Sequence, residues 1–294
     1  MNKPKILVSV VTPAYNAEKF IEETIISIKN QNYVNIEHII IDDGSTDNTP
    51  KILKKYENKY NLIWFSKPNE GQTITVNKGF ELANGDIVIW LNADDVLFDK
   101  NVISYIVEQF EKYPSVNVIY GDRLNIDENN KLINILHRIP WFSFNRLLRD
   151  HFAAFIFFRK NVIKNYKLDP TIDLPMDYEH ALRMAKSGLK FKHVNKILFA
   201  YRSHSQTKTL SRWDEMEKET MKIKKMYGLK LGYKYKIMKK IDMIIYLFLE
   251  FYGVITLTNL YLNRKKKSYA FSIKFDPYIK TLFRQTPLLR RFYK

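Results

Sequence analysis

Cysteine is absent from the chain. That excludes disulfides and thiolate metal sites, and it permits a reducing compartment without requiring one. Only nine glycines occur in 294 residues, and neither Gly-x-Gly-x-x-Gly nor a Gly-Lys-Ser/Thr phosphate loop is present. A nucleotide bound here would lack the glycine cradle of those motifs, so its diphosphate would need a metal instead. No apolar targeting segment stands before the first strand, since Met1–Lys5 leads straight into it, and a cytoplasmic location is the expectation. Acidic residues are almost missing from one region. Residues 1–220 carry 30 Lys and Arg against 28 Asp and Glu, whereas residues 221–294 carry 18 against 3, so +15 of the net +17 lies in the last quarter. Such a basic module suits an anionic membrane surface or nucleic acid. The shift falls near Gly228, which sets the expected boundary between a domain over 1–228 and an extension over 229–294.

The length accommodates one large α/β domain plus an appendage. Ile6–Thr12 reads as a buried strand stopped by Pro13, and Asn16 as the cap of a helix with Ile21, Ile25 and Ile28 on its inner face. Glu37–Ile41 and Leu62–Phe65 read as further strands. Between them a helix opens near Pro50, with Ile52, Leu53 and Tyr56 facing inward. A helix after Gly71 carries Val76, Phe80 and Ala83. Ile87–Leu91 is then five consecutive apolar residues, the pattern of a strand covered on both faces. The helix through Val102, Ile106 and Phe110 ends at Pro114, and Asp99 is its expected cap. Four strand–helix repeats imply right-handed crossovers and a parallel sheet. Val116–Asn125, Lys131–His137, Phe152–Arg159 and Ile197–Arg202 read as strands of a mixed extension, with a helix over Asp177–Lys186.

In such a sheet, ligands bind beyond the carboxyl ends of the strands. Each strand of the first half ends in a polar turn: Thr12–Asn16, Asp42–Asp47, Asn69–Gln72 and Asn92–Asp95. Asp94 and Asp95 are adjacent carboxylates that repel one another unless a cation lies between them, and oxygen ligands suit Mg²⁺ or Mn²⁺.

These stretches carry a resemblance. Val8–Asn16, Ile41–Asp47, Asn77–Phe80, Ala83–Gly85 and Trp90–Asp95, in that order and spacing, resemble the family 2 glycosyltransferases of the GT-A fold over roughly residues 5–210. The resemblance implies a Rossmann-like, mixed, mainly parallel sheet with flanking helices. It also implies a nucleotide-sugar donor (a UDP-sugar as the family-level expectation), a divalent metal, and inverting transfer to a hydroxyl. Thr12, Ala14, Tyr15 and Asp43 fall where the family holds the nucleobase. The polar turns at Gly71 and Gln72, and Asn92, complete the expected donor contacts. The family's Asp-x-Asp motif falls on Asn92-Ala93-Asp94, which departs from it at Asn92 and leaves Asp94 as the metal ligand.

Leu174–Arg183 resembles the segment carrying the family's catalytic carboxylate, and Asp177 is the matching position. An ionised carboxylate there can accept the acceptor hydroxyl's proton; the alternatives are a helix N-cap at Asp177, or Glu179 as the base. Tyr201–Thr209 resembles the family's late Arg-x-His segment. It adds His204 as a second metal ligand and Arg202 or Lys208 as cations for the leaving phosphate. No motif marks the acceptor subsite, expected within Phe142–Asp173. In the extension, Ile241–Leu262 shows a polar stripe at Lys239, Asp242, Tyr246 and Glu250, the pattern of an amphipathic helix rather than a spanning one. With Arg264–Lys267 it points to peripheral attachment at the inner face of the plasma membrane, where a glycan or lipid-linked acceptor would serve surface polysaccharide synthesis. Nucleic acid is disfavoured because no recognised module is present. The rival readings are a nucleotidyltransferase and a non-catalytic adaptor on the same scaffold.

Overall fold

The structure, a computed structural model, describes residues 5–138, 143–149 and 156–230, and all but 234, 239 and 243 between 232 and 245. The first half alternates as the apolar runs require. It contains β1 (Val8–Ala14), α1 (Ile21–Lys29), β2 (Ile36–Asp42), α2 (Thr49–Tyr56), β3 (Leu62–Ser66), α3 (Gln72–Leu82), β4 (Ile87–Trp90), the two-residue β5 (Val96–Leu97) and α4 (Val102–Lys112). The second half contains β6 (Val118–Asp127), β7 (Leu132–Leu136), α5 (Phe144–Arg149), β8 (Ile156–Arg159), α6 (Lys160–Asn165), α7 (Met176–Lys186), β9 (Phe191–Ser203), α8 (Lys208–Ser211) and α9 (Trp213–Met226).

The strands form one sheet in the order β3-β2-β1-β4-β8-β6-β9-β5, with β7 off this path and paired to the Arg123–Ile126 stretch of β6. Strands β1 to β4 pair parallel, as four strand–helix repeats dictate. The mixed extension is also present: β8 runs antiparallel to β4 and β6, while β9 runs parallel to β6. Every residue of β1 and β4 is buried, because helices cover both faces there. One face packs Ile28 of α1 and Val102, Ile103, Ile106 and Phe110 of α4 against β1 and β4. The other packs Val76 and Phe80 of α3, Val162 and Ile163 of α6, and Met176 and Met184 of α7. Ile21 and Ile25 of α1 meet Leu53 of α2 over Ile40. Each such isoleucine contributes on the order of 1.5–3 kcal/mol by leaving water.

Two expected caps are corrected. Helix α1 starts at Ile21 with Phe20 before it, because Asn16 sits at φ 47° and uses its side-chain oxygen to accept the Thr46 amide. Asp99 accepts the Asn101 amide in a local turn, and Asn101 occupies the cap position of α4. The described part of the strand expected over Phe152–Arg159 is β8; residues 152–155 lie outside the described residues. So do residues 246–294, including most of the expected amphipathic stretch and the Arg264–Lys267 run. Among the described residues no helix is long and apolar enough to cross a membrane.

Candidate active site

The carboxyl ends of β1, β2, β3 and β4 open onto one rim, and their turns are tied to one another by backbone and side-chain bonds. Asp43 donates its amide to the Ala14 carbonyl at 2.8 Å. Its carboxylate accepts the Glu70 and Gly71 amides, both at 3.0 Å, and pairs with Lys67. Burial alone would raise the Asp43 pKa, but the Lys67 and Glu70 hydrogen bonds outweigh it and hold the carboxyl below its ordinary value. Burial would lower Lys67, but its hydrogen bonds to the Asp43 and Glu70 carboxylates, the latter at 2.9 Å, raise it. Gly44 follows at φ 76°, and a Cβ there would stand 2.9 Å from the Asn69 amide nitrogen. Only glycine lets the second and third turns approach this closely. Tyr15 stands beside this joint with 53% of its surface open, a ring free to lie against a planar ligand.

The fourth turn is anchored from below. Thr24 of α1 donates to the carbonyls of Ala93 and Asp95 at 2.9 and 2.8 Å. Asn92 accepts from Trp90 Nε1 at 2.8 Å and Gln72 Nε2 at 3.1 Å, and donates to Asp95 at 3.1 Å. Asp95 is buried, and its other oxygen takes the Arg202 amide at 3.0 Å. Burial, then the neighbouring Asp94 charge, pushes Asp95 well above the usual carboxylate range. Asp94 is the partly open carboxylate of the pair. Its Oδ2 lies 3.0 Å from His204 Nε2, with 27% of the Asp94 side chain exposed against 9% for His204. The imidazole packs on Phe20, ring centroids 4.7 Å apart.

Asp177 is the second residue of α7, with Pro175 at the cap position, so it is not the helix N-cap. It accepts the Tyr178 amide at 2.8 Å. Glu179, the rival base, is 5% exposed, bonds Arg183 through two oxygens at 2.9 and 3.0 Å, and accepts the Tyr227 hydroxyl at 2.6 Å. Those contacts commit it to holding α7 against α9. The start of α7 is fastened to the donor rim: Thr73 of α3 bonds the Met176 sulfur at 2.7 Å and the Ile172 carbonyl at 3.1 Å, next to Gln72, which holds Asn92. Arg123 of β6 feels the charges of both Asp95 and Asp177 and lies 4.5 Å from the Tyr201 ring centroid. Burial, then Arg138, lowers the Arg123 pKa to about 10.

Three sequence-based assignments change. Thr12 is fully buried and its hydroxyl meets His38 Nε2 at 3.0 Å inside the sheet, because the β1–β2 register sets both side chains on one face. Burial lowers His38 to about 3, so the ring is neutral. Arg202 does not face the rim either. Its side chain is 1% exposed and reaches Glu23 at 2.6 Å, Asn130 at 2.6 Å and the Asp94 carbonyl at 3.0 Å, with the guanidinium over Phe20. Lys208 pairs with Asp173 at 3.0 Å. Gln72 and Asn92 are brought together, but their amides are bonded to each other. Lys67 and Arg123 were not singled out from sequence; a lone Lys before Pro68 and an Arg within a strand carry no local signal.

Mg²⁺ or Mn²⁺ suits the donor set of Asp94 and His204 only in one mode. Among the described residues no cluster of three or more His, Cys, Asp or Glu is arranged to hold a metal. A carboxylate and an imidazole at an open rim match a cation whose remaining positions are filled by substrate phosphates and water.

The geometry is that of an α/β sheet whose polar turns gather at one rim, with the start of α7 tied to that rim through Thr73. A family model described as "Glycosyl transferase family 2" matches residues 9–168, more than half of the chain, and the chain belongs to that family. It is 29% identical over 233 residues to the chondroitin synthase of Escherichia coli, a match covering 78% of this chain and 33% of that protein. The chain spans a third or less of the length of the curated synthases it matches. Staphylococcus aureus TarS residues 1–349, solved with UDP-GlcNAc, superposes with a TM-score of 0.62 at 19% identity, over 79% of this chain and 69% of that one. The mannosyltransferase PcManGT of Pyrobaculum calidifontis, solved with GDP-Man and Mn²⁺, gives 0.57 at 16% identity, over 98% and 83%. These likenesses show the GT-A fold.

Proposed function

We propose that the chain is an inverting glycosyltransferase that moves a sugar from a nucleoside-diphosphate donor, a UDP-sugar, to a hydroxyl of a glycan or lipid-linked acceptor in polysaccharide synthesis. The observation carrying this reading is the Asp94–His204 pair at the open rim, with the start of α7 and its Asp177 fastened to the same rim through Thr73 and Met176. Relatives that build chondroitin and neighbours solved with nucleotide sugars support the substrate class.

In this reading Tyr15 and the joined turns around Ala14, Asp43 and Gly71 form the wall against which the nucleoside lies. Asp94 and His204 would hold Mg²⁺ or Mn²⁺, which when bound would neutralise charge on the departing diphosphate. Asp177 takes the proton of the acceptor hydroxyl as that oxygen attacks the anomeric carbon. The bond from that carbon to the diphosphate oxygen breaks, its electron pair leaves with the nucleoside diphosphate, and the configuration inverts. Residues 1–228 form the catalytic domain. The basic extension over 229–294 attaches the enzyme to an anionic membrane surface at the cytoplasmic face. Thermal-shift screening against UDP- and GDP-sugars, with and without Mn²⁺, tests the donor. A shift with a UDP-sugar that grows with Mn²⁺ is expected; no shift with any nucleotide sugar refutes the reading.

A further inference from the structure

The described positions of 233–245 are helical. Four large apolar side chains on this stretch are open to solvent: Tyr233 at 81%, Ile237 at 40%, Ile241 at 42% and Ile244 at 51%. Steps of four, four and three place them in one stripe along a single helix face. Lys236 and Lys240 are exposed on the flank of that stripe. The opposite face is fastened to the domain. Asp242, buried at 6%, lies between Arg149 at 2.7 Å and Arg146 at 3.3 Å, both on α5. Helix α5 in turn packs Leu147 and Leu148 against Tyr178, Ala181 and Leu182 of α7, and Tyr178 donates its hydroxyl to the Leu147 carbonyl at 2.6 Å. Tyr178 directly follows Asp177.

We propose that residues 233–245 lie in the plane of an anionic bilayer with the isoleucine stripe in the headgroup boundary, and that the Arg146–Asp242–Arg149 clamp fixes the α7 end of the site to that surface. The proposal rests on the membrane role given above to the 229–294 extension and specifies the face that performs it. A half-open isoleucine stripe flanked by lysine, in a region with 18 basic and 3 acidic residues, matches an interfacial helix on acidic lipid. Two copies of the stripe would bring their lysines together, which disfavours self-association. Phosphate contacts alone would leave the isoleucines in water, which disfavours nucleic acid.

The test is co-sedimentation of the full chain with vesicles of phosphatidylcholine, alone or mixed with phosphatidylglycerol. Binding is expected only with phosphatidylglycerol. Combining Ile237→Ser, Ile241→Ser and Ile244→Ser should weaken it by about tenfold or more, since each lost side chain removes apolar burial. Combining Lys236→Glu and Lys240→Glu should also weaken it by about tenfold or more, through loss of attraction to the acidic surface. All these variants should keep the wild-type thermal shift with a UDP-sugar, showing an intact domain. Asp242→Asn should keep vesicle affinity within about twofold but lose the vesicle-induced protection of α5 amides from hydrogen exchange, since a neutral side chain loosens the clamp. Wild-type binding by the triple serine variant, combined with lost binding when Arg264, Lys265, Lys266 and Lys267 are all changed to serine, overturns this face and leaves the extension's membrane role standing. Binding unchanged in both sets, or a lipid-free dimer that the serine variant abolishes, overturns the proposal.

Discussion

Replacing Arg202 with leucine separates a packing role from a phosphate-binding one. The substitution keeps bulk and removes the guanidinium from a site where the side chain is 1% exposed. Two part-buried acceptors lose well-placed donors: the Asp94 carbonyl at 3.0 Å and the Asn130 side-chain oxygen at 2.6 Å. Each unmet acceptor costs about 1–3 kcal/mol. The Asp127 carbonyl, at 3.4 Å, is too far to add much. Glu23 also loses its partner, but its side chain is 41% exposed and rehydrates, so its share is discounted to well under 1 kcal/mol. The sum is roughly 3 kcal/mol. With a urea slope of about 2–3 kcal/mol/M, the unfolding midpoint should fall by about 1 M or slightly more. Arg202→Lys should recover only part of this, because one ammonium cannot reproduce a three-way fork. Equilibrium urea unfolding followed by circular dichroism reads the midpoint. A leucine variant that unfolds at the wild-type midpoint yet has lost nucleotide affinity would refute the reasoning and return the guanidinium to the ligand.

Other perturbations follow from the same contacts. Gly79→Ala should destabilise by about 1–3 kcal/mol, because its Cβ would lie 2.2 Å from Val11 Cγ1 in the core. Mid-helix alanine otherwise stabilises by about 1 kcal/mol, so a net gain in urea unfolding contradicts the close α3–β1 packing. Asp122 is buried, which would raise its pKa, but bonds from His137, His193 and the Arg138 amide bring it below the ordinary value. Its stabilisation is therefore full above the unfolded carboxylate value of about 4 and is lost as pH falls through the lower folded value. Asp122→Asn should be less stable at neutral pH and lack that acid-range loss; identical pH–stability curves would contradict this. Asp94→Asn and His204→Ala should each weaken Mn²⁺-supported UDP-sugar binding by roughly 10–100-fold. Calorimetric titration with and without Mn²⁺ measures this, and unchanged affinity in both variants removes the pair from the site.

The parallel half of the sheet was readable because its signals are local. Ile87–Leu91 is apolar throughout, and Ile21, Ile25 and Ile28 recur at helical spacing, so burial on both sheet faces follows from each stretch alone. Strand β5 has two residues and no period to detect; it exists because Val96 and Leu97 find β9. At the rim, the structure brings Asp94 and His204 within 3.0 Å of each other. Asp94, His204 and Asp177 stand on open or terminal positions that motif spacing can mark. Arg202 was misplaced because its role depends on Glu23, 179 positions away, and a late Arg-x-His segment looks the same whichever way the guanidinium turns. Thr12 was misplaced for a similar reason, since its partner His38 arrives only through the β1–β2 register. Asn92 kept its place at the turn, but its three side-chain bonds to Trp90, Gln72 and Asp95 make it a brace there.

The division of labour around the rim is tested most directly by Asp177→Asn, which keeps shape and removes the proton acceptor. Turnover with a UDP-sugar and a hydroxyl acceptor should fall by about 10²–10⁴-fold, while calorimetric affinity for that donor in Mn²⁺ stays within about twofold, because Asp94 and His204 are untouched. Undiminished turnover, or donor affinity lost in step with it, would contradict the account.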